Sequence, residues 1–258
     1  IALDAQSDWA ERAPKTIGGK SGMTEEVFRE DSYAKSCDAT VIAVDERGIV
    51  LDRTVFYATG GGQPGDVGVL RFGDGGEVPI CDTRPDRATG EHLHVPAEGA
   101  PAVQPGDAIV AEIDWERRFR LMRMHTTMHL LCSLVPEGVT GGSVGEAKSR
   151  LDFNLPDRTL DKEALSEGLN KLVGEDHAIG FRWITDGEMA VQPELVRTMS
   201  VKPPSGVGRV RLISIGDIDL QPCGGTHVAR TGEIGRVRIG KIENKGRHNR
   251  RVNIHLDE

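Results

Sequence analysis

The spacing of hydrophobic and polar positions changes near residue 115 and divides the chain into two parts. Between residues 35 and 115, short runs rich in Val, Ile and Thr alternate with Gly, Pro and Asp, as in Ala39–Val44 and Ile49–Phe56 around the turn Asp45–Gly48. Such punctuated runs predict short strands joined by tight turns. Further strands are predicted at Val67–Phe72, His92–Val95 and Ala108–Ile113. This pattern favours a small β-barrel.

From residue 116 onward the pattern mixes helices with strands. The stretch Glu116–Val135 contains neither Gly nor Pro and is rich in large apolar residues, which predicts a buried helix ending before Pro136. A second helix, capped by Thr159 or Asp161, and several strands are predicted downstream, the strands at Ser149–Leu155, Ala178–Ile184, Arg209–Ile215, Gly235–Ile242 and Arg251–Leu256. Helices and strands without strict alternation favour an α+β fold.

These changes in the hydrophobic and polar pattern predict three segments. Residues 1–22 are polar and aperiodic, and we interpret them as a disordered leader or appended remnant outside the fold. Residues 23–115 form the predicted barrel domain, which begins with a short helix at Thr24–Ala34 and contains a glycine-rich loop. Residues 116–258 form the predicted second domain.

Composition and cysteine spacing limit the class of protein. Hydrophobic residues make up 38% and charged residues 28% of the chain, values that fit an ordinary globular protein. No apolar run is long enough to span a bilayer, so no membrane partner is expected. The four cysteines stand at wide, irregular spacings, which favours reduced thiols and a cytoplasmic location.

Two short clusters contain residue types that bind metals. His125 and His129 are four residues apart on the predicted helix, so both imidazoles project from one face. Cys223 and His227 flank two glycines, whose backbone freedom lets a thiolate and an imidazole converge. Together they offer three nitrogens and one sulfur, which suits tetrahedral zinc. We therefore predict one Zn²⁺ per chain, held by these four residues.

Other cysteines and histidines near these clusters are interpreted as structural. Cys132 follows His129 by three residues but lies among leucines, which predicts a buried thiol. His92 and His94 alternate on a predicted strand without a partner cluster, and we interpret them as surface residues.

The histidine spacing also occurs in zinc proteases with the motif H-E-x-x-H, so a peptidase has to be considered. In that class the Glu after the first His is the general base. Thr126 occupies that position here and cannot act as that base. Thr126, Thr127 and Thr140 are instead candidate catalytic residues, whose hydroxyls could recognise a substrate side chain.

The segment Gly60–Asp66, with the sequence GGGQPGD, is a second unusual feature. Consecutive backbone N–H groups in such a turn can bind an anion. Its candidate substrate-binding residues are Gly60, Gly61, Gly62, Gln63 and Gly65. The segment lacks the Lys-Ser/Thr ending of a Walker A loop, so no nucleotide cofactor is expected. A tight connection between strands is the alternative.

The net charge of −8 conceals a basic segment. Arg230–Arg251 contains eight basic residues and two acidic ones, and phosphate binding depends on local potential. Four of its cations are candidate substrate-binding residues: Lys245, Arg247, Arg250 and Arg251. A second basic group precedes the first histidine cluster and consists of Arg117, Arg118, Arg120 and Arg123. Two solvated protein faces are the alternative interpretation.

Several motifs, in this order, resemble a known family: HTTMHLL at 125–131, GGSVGEAKSRLDFN at 141–154, CGGTHV at 223–228 and KIENKGRHNRRV at 241–252. They resemble the editing domain of alanyl-tRNA synthetases and the free-standing alanyl-tRNA editing proteins of the AlaX type. The segment DRTVFYATGGGQPGD at 52–66 resembles the glycine-rich part of the longer free-standing form, which carries a small N-terminal β-barrel. The resemblance covers about residues 23–256. It implies an editing domain of the threonyl/alanyl-tRNA synthetase type over 116–258.

The resemblance also implies a function. His125, His129, Cys223 and His227 would hold zinc, and the substrate would be tRNA(Ala) mischarged with serine or glycine. The reaction would be hydrolysis of the aminoacyl ester by a stand-alone deacylase. Four protein ligands also characterise structural zinc, so a non-catalytic, zinc-stabilised tRNA-binding module is an alternative. A second alternative is editing of another tRNA, such as Ser-tRNA(Thr), because threonyl-tRNA synthetases carry a related domain.

Overall fold

The computed structural model describes residues 24–86, 88–155, 159–199 and 208–257, which form two compact units. The first unit comprises the described residues up to Gly60 together with Pro64–Arg118. The second comprises Gly61–Gln63 and the described residues from Phe119 onward. The prediction for residues 1–22 lies outside the described residues. The domain limits 23–115 and 116–258 stay a prediction, because compactness alone does not show that a unit folds independently.

The first unit is built on a closed barrel. Its described residues up to Ile113 form β1 Glu25–Glu26, α1 Val27–Glu30, β2 Ser36–Asp45, β3 Gly48–Leu51, β4 Arg53–Thr54, β5 Gly68–Phe72, β6 Glu77–Pro85, β7 His92–Pro96 and β8 Ala108–Ile113. Six strands close in the order β2-β3-β7-β6-β5-β8, and all neighbours are antiparallel. β1 and β4 form a separate parallel pair. The predicted barrel is confirmed.

Alternation along the strands fills the barrel core. In β8, Ile109, Ala111 and Ile113 are buried while the residues between them are more exposed, since successive side chains point to opposite faces. Strand β6 is absent from the sequence prediction. It contains Pro79, which lacks the N–H that a central strand normally uses, and its pairing with β7 shifts register after Ile80.

The prediction that His92 and His94 lie on the surface is wrong. Both are buried on β7, and His94 is fully enclosed. His94 Nδ1 donates to the Ile49 carbonyl at 3.0 Å, and its Nε2 accepts from Thr54 Oγ1 at 2.8 Å. Burial lowers the pKa of His94 to about 4. The ring is therefore neutral, and a neutral imidazole with both nitrogens bonded can be buried.

The second unit mixes helices with two antiparallel sheets. The elements from Trp115 onward are α2 Trp115–Leu134, β9 Val139–Ser143, β10 Ser149–Asn154, α3 Lys162–Gly174, β11 Ile179–Thr185, α4 Asp186–Ala190, β12 Arg209–Ile215, β13 Asp219–Pro222, β14 Val237–Asn244 and β15 Asn249–Leu256, with short 3₁₀ turns at Pro193–Leu195 and Thr231–Ile234. One sheet has the order β14-β15-β10-β9 and the other β11-β12-β13. The α+β prediction is confirmed.

Helix α2 agrees closely with the predicted Glu116–Val135 and supplies much of the buried interior. Leu121, Met122, Leu130 and Leu131 are fully buried on it. The second predicted helix begins where Asp161 accepts the Ala164 N–H at 3.0 Å, so the Asp161 alternative is correct. Among the described helices, none combines the length and the apolar character that crossing a bilayer would need.

Candidate metal centre

Helix α2 and the turn after β13 bring the four predicted ligands together. His125 and His129 lie one turn apart on α2, while Cys223 and His227 lie in the turn. One ligand atom from each residue lies within 4.8 Å of all the others. The three imidazoles are buried and the thiol is half-buried. Among the described residues, this group can therefore hold a metal ion.

The separations fit a tetrahedral ion. Cys223 Sγ lies 3.6 Å from His125 Nε2 and 3.3 Å from His227 Nε2. Zinc bonds of about 2.0 Å to nitrogen and about 2.3 Å to sulfur place sulfur and nitrogen roughly 3.5 Å apart in a tetrahedron. The two sulfur–nitrogen separations are therefore compatible with a tetrahedral metal ion such as zinc.

A buried glutamine orients the first histidine. His125 Nδ1 donates to Gln63 Oε1 at 2.8 Å. The amide orientation of Gln63 follows from Thr226, whose N–H donates to Oε1 at 3.2 Å and whose Oγ1 accepts from Nε2 at 2.9 Å. Because an amide oxygen only accepts, the proton of His125 lies on Nδ1 and the Nε2 lone pair is left for a metal.

The other two imidazoles are held in the same way. His129 Nδ1 donates to Asp219 Oδ2 at 2.8 Å, and the second carboxylate oxygen accepts from Gln221 Nε2 at 2.7 Å. His227 Nδ1 lies 3.1 Å from Thr126 Oγ1. All three histidines thus direct Nε2 toward the same point, as expected for metal ligands with outer hydrogen-bond partners.

The electrostatics of the centre favour a thiolate. Burial would raise the pKa of Cys223, but the neighbouring His125 and His227 lower it well below its usual value. Burial, followed by the electrostatic interaction with His125, lowers the pKa of His227 to about 3. Burial also opposes protonation of His129, yet its bonds to Asp219 and Cys223 raise its pKa to about 10. A thiolate is the form of cysteine that binds metals.

The turn that carries Cys223 is hydrogen-bonded to strand β12. Arg211 Nη1 donates to the carbonyls of Gly225 at 2.9 Å and Cys223 at 3.4 Å, and the Cys223 N–H donates to the Arg211 carbonyl at 3.0 Å. A Cβ at Gly225 would lie 2.2 Å from His125 Cε1. The second glycine of CGGTH is therefore required by close approach to a ligand ring.

Comparisons with known proteins show the family to which this chain belongs. Residues 210–253, which include two of the ligands, match the family described as "Threonyl and Alanyl tRNA synthetase second additional domain", and residues 21–117 match "tRNA synthetases class II (A)". The alanyl-tRNA editing protein AlaX-M of Methanosarcina acetivorans is 36% identical over 239 residues, covering 89% of this chain and 98% of that protein. This chain belongs to the AlaX-M family.

Two further relatives extend the comparison. The AlaX-M protein of Saccharolobus solfataricus is 31% identical over 234 residues, covering 89% of this chain and 98% of its own length. The alanine–tRNA ligase of Pyrobaculum neutrophilum is 37% identical over 251 residues, covering 90% of this chain but 27% of the ligase. The chain therefore spans nearly all of an AlaX-M protein and about a quarter of that ligase.

The predicted catalytic threonines have protein partners in this AlaX-M family member. Thr126 is buried beside His227, and its Oγ1 also accepts the Val228 N–H at 3.3 Å. Thr127 Oγ1 donates to the backbone carbonyl four residues earlier at 2.8 Å. Thr140 Oγ1 donates to the Asp152 carbonyl at 3.1 Å. Their catalytic role stays a prediction, and the structure adds a positioning role for Thr126.

The glycine-rich segment contributes more than a turn. Gly61 and Gly62 have φ angles of 56° and 85°, in the left-handed region that favours glycine. They precede Gln63, whose side chain is fully buried. In the first unit, the Gly60 carbonyl accepts from Tyr57 Oη at 2.7 Å, and a Cβ at Gly65 would lie 2.0 Å from the Thr83 carbonyl oxygen. Substrate binding by these five residues stays a prediction.

The predicted phosphate-binding cations differ in their partners. Arg251 pairs with Asp152 at 2.8 Å, Lys245 Nζ lies 2.8 Å from Glu243, and Arg250 donates to Asn244 Oδ1 at 2.9 Å. Arg247 is exposed and forms no ion pair with the residues that the structure describes. Substrate binding by Lys245, Arg247, Arg250 and Arg251 also stays a prediction.

Part of the basic group before the first histidine cluster is structural. Arg118 is fully buried in the first unit, where its guanidinium binds the Asp66 carboxylate (Nε to Oδ2, 3.0 Å) and the Val55 carbonyl at 2.7 Å. Arg117 Nη1 donates to the Gly65 carbonyl at 2.7 Å. For Arg118, both interpretations of this basic group, phosphate binding and a solvated face, are therefore wrong, because its side chain is buried and bonded within the protein.

Asp219 and Arg211, together with the orienting role of Gln63, escaped the sequence prediction. A carboxylate or carbonyl is the usual outer partner of a histidine ligand, so a partner of this type was to be expected. The position of this partner could not be expected from the sequence, because Asp219 lies 90 residues from His129 along the chain. For Arg211, the sequence gives no indication of its role in holding the turn of Cys223 beyond its place in a predicted strand.

Proposed function

We propose that this chain hydrolyses the aminoacyl ester of mischarged tRNA(Ala). The observation that carries the proposal is the buried group of three histidines and one cysteine, His125, His129, His227 and Cys223, in which every imidazole is held through Nδ1. The names of its relatives, alanyl-tRNA editing protein and alanine–tRNA ligase, point to the same tRNA.

We further propose that zinc is the metal and that serine and glycine are the amino acids removed. Zinc suits three nitrogens and one sulfur in a redox-neutral reaction. Serine and glycine follow from the resemblance of the histidine and cysteine motifs to alanyl-tRNA editing domains. The four cysteines, none of them in a disulfide, agree with the reducing cytoplasm as the place of reaction.

Bound zinc would supply Lewis-acid polarisation to the ester or to a water molecule. The residues around the centre determine how precisely the metal ligands are positioned for this chemistry. Gln63, Asp219 and Thr126 fix the three rings, and Arg211 fixes the turn that carries Cys223. A centre held in this way needs little reorganisation as charge develops on the ester oxygen.

Deacylation of purified Ser-tRNA(Ala), Gly-tRNA(Ala) and Ala-tRNA(Ala) tests the proposal. We expect release of serine and glycine but not alanine, loss of activity with a chelator, and recovery when zinc is restored. The variant Cys223→Ala should be inactive, whereas Cys81→Ser, which removes an exposed thiol, should retain activity. Equal hydrolysis of all three substrates would refute the proposal. Binding of Ser-tRNA(Ala) without release of serine would support the non-catalytic module.

The same assay addresses the choice of tRNA. Ser-tRNA(Thr) is the informative competitor, because the residues 210–253 match a domain description shared by threonyl and alanyl-tRNA synthetases. We expect much faster release of serine from tRNA(Ala) than from tRNA(Thr). The reverse preference would assign the chain to the other tRNA.

A further inference from the structure

The edge strand β11 carries a row of aromatic and arginine side chains. Phe181 and Trp183 alternate along β11 and therefore share one face of the sheet. Arg209 and Arg211 of the neighbouring β12 lie on the same face, because Trp183 pairs directly with Arg211 and Thr185 with Arg209. The Arg209 guanidinium lies 4.2 Å from the Trp183 ring centroid, and that of Arg211 lies 4.7 Å from the Phe181 centroid.

The outer end of this aromatic–arginine row is exposed, whereas Arg211 is buried. Phe181 is 39% exposed and Arg209 is exposed. The opposite face of the sheet is buried, since Ile184, Val210 and Leu212 form a core cluster there. The row is therefore accessible at Phe181 and Arg209, and the same face is buried further in, at Arg211 and Ile213. Strand β11 is the edge of the sheet.

The sheet face that carries the row also carries residues that contact the candidate metal ligands. Phe181 pairs with Ile213, which pairs in turn with Gln221 on β13, and Asp219 lies on that face two residues earlier. Asp219 holds His129, and Gln221 holds Asp219. Arg211, which stacks on Phe181, also holds the turn of Cys223 and Gly225. The row and the ligands are thus connected by direct contacts within one unit.

Planar rings stacked with guanidinium groups beside a reactive centre suit one kind of ligand in particular. Unpaired RNA bases stack on aromatic rings and on guanidinium planes, while the positive charge attracts the phosphates. In an aminoacyl-tRNA the ester is on the terminal ribose, so the last unpaired nucleotides must lie close to the centre that hydrolyses it. The net charge of the chain is −8, so the exposed Arg209 beside an aromatic ring is a local feature.

We propose that Phe181, Trp183 and Arg209 of this row bind the single-stranded 3′ end of tRNA by base stacking, while buried Arg211 connects the row to the turn of Cys223. Trp183 and the Arg209 guanidinium form the platform, and Phe181 covers Arg211 beside the metal-binding turn. The inference rests on the proposed function, whose site it extends to the nucleotides next to the ester.

Fluorescence anisotropy with a fluorescein-labelled single-stranded RNA ending in CCA tests the row without any reaction. We expect Trp183→Ala to weaken binding about tenfold, since each stacked base contributes substantially to affinity, and Trp183→Phe to restore most of it. Arg209→Ala should also weaken binding. Arg182→Ala is the matched control, because it removes an exposed arginine from the same strand but from the opposite face. Equal weakening by Arg182→Ala and Arg209→Ala would overturn the proposal.

Kinetics and metal content separate stacking from a structural role. With Ser-tRNA(Ala), Trp183→Ala should raise KM about tenfold while kcat and bound zinc stay near those of the unchanged protein. Loss of zinc, or an unchanged KM, would overturn the proposal. If the unchanged protein releases no amino acid, the proposed function fails. Binding of the CCA oligonucleotide that depends on Trp183 would then still support the row as an RNA site.

Discussion

Replacing Gln63 by Leu isolates the contribution of its amide at nearly constant volume. The amide accepts from His125 at 2.8 Å and from the Thr226 N–H at 3.2 Å, and it donates to Thr226 Oγ1 at 2.9 Å. Gln63 is fully buried, as is Thr226, so water cannot easily replace these bonds. Gln63→Leu therefore leaves two buried N–H donors without an acceptor, each at a cost of about 1 to 3 kcal/mol.

The effect on the metal follows from the lost orientation of His125. Removing the outer partner of a histidine ligand typically lowers metal affinity by about 10- to 100-fold, which is about 1.4 to 2.7 kcal/mol. We expect a loss in this range for Gln63→Leu. Gln63→Glu should retain most of the affinity, because a carboxylate oxygen still accepts from His125 and the Thr226 hydroxyl can turn to donate.

Competition with a chromogenic chelator measures the zinc affinity, and Ser-tRNA(Ala) deacylation at limiting and at excess zinc measures its consequence. Excess zinc should restore most of the activity of Gln63→Leu. Gln104→Leu, an exposed position, is the control. Unchanged zinc affinity in a folded Gln63→Leu protein would refute the reasoning. A raised KM that zinc does not correct would favour the predicted substrate contact.

Three further variants and conditions test other parts of the structure. Gly225→Ala should abolish zinc binding, measured by metal analysis, because its Cβ would lie 2.2 Å from His125. Asp66→Asn should lower the urea-unfolding free energy by about 3 to 5 kcal/mol, because it leaves buried Arg118 without a counter-charge. The contribution of His94 to the free energy of unfolding should fall by about 3 kcal/mol as the pH drops from 6.5 to 4, because unfolding allows His94, whose folded pKa is about 4, to take up a proton.

Each of these expectations has a control. Gly174→Ala adds a Cβ into open space and should keep its zinc. Asp74→Asn changes an exposed carboxylate and should leave the unfolding free energy nearly unchanged. For the third, the free energy of unfolding of His94→Gln should fall by about 3 kcal/mol less than that of the unchanged protein between pH 6.5 and 4. An equal fall in both proteins would assign the pH effect to other groups.

The elements that could be predicted are those with a local signal. Helix α2 is a long stretch without Gly or Pro that is rich in Leu and Met, and the four-residue spacing of His125 and His129 predicts that both lie on one face of it. The β2–β3 hairpin follows from two Val- and Ile-rich runs around a turn. Strand β6 lacks such a signal, because Pro79 contradicts the usual pattern of a central strand.

Whether a polar side chain is buried or exposed was harder to predict, because burial depends on partners distant in the chain. His94 is buried because Ile49 and Thr54 satisfy both of its nitrogens, and neither partner is visible from its own strand. Arg118 is buried because Asp66 neutralises it. A charged or titratable residue in the sequence therefore indicates a surface only until the fold supplies a partner.

The glycine-rich segment shows which conclusions about function the composition alone supports. A run of glycines with nearby cations is consistent with an anion site, and that substrate role stays a prediction. The structure provides separate reasons for three of them: Gly61 and Gly62 have positive φ angles, and Gly65 leaves no space for a Cβ. Between them, Gln63 reaches His125. The glycines are thus required by the backbone path that delivers one amide to a metal ligand, whether or not the segment also binds phosphate.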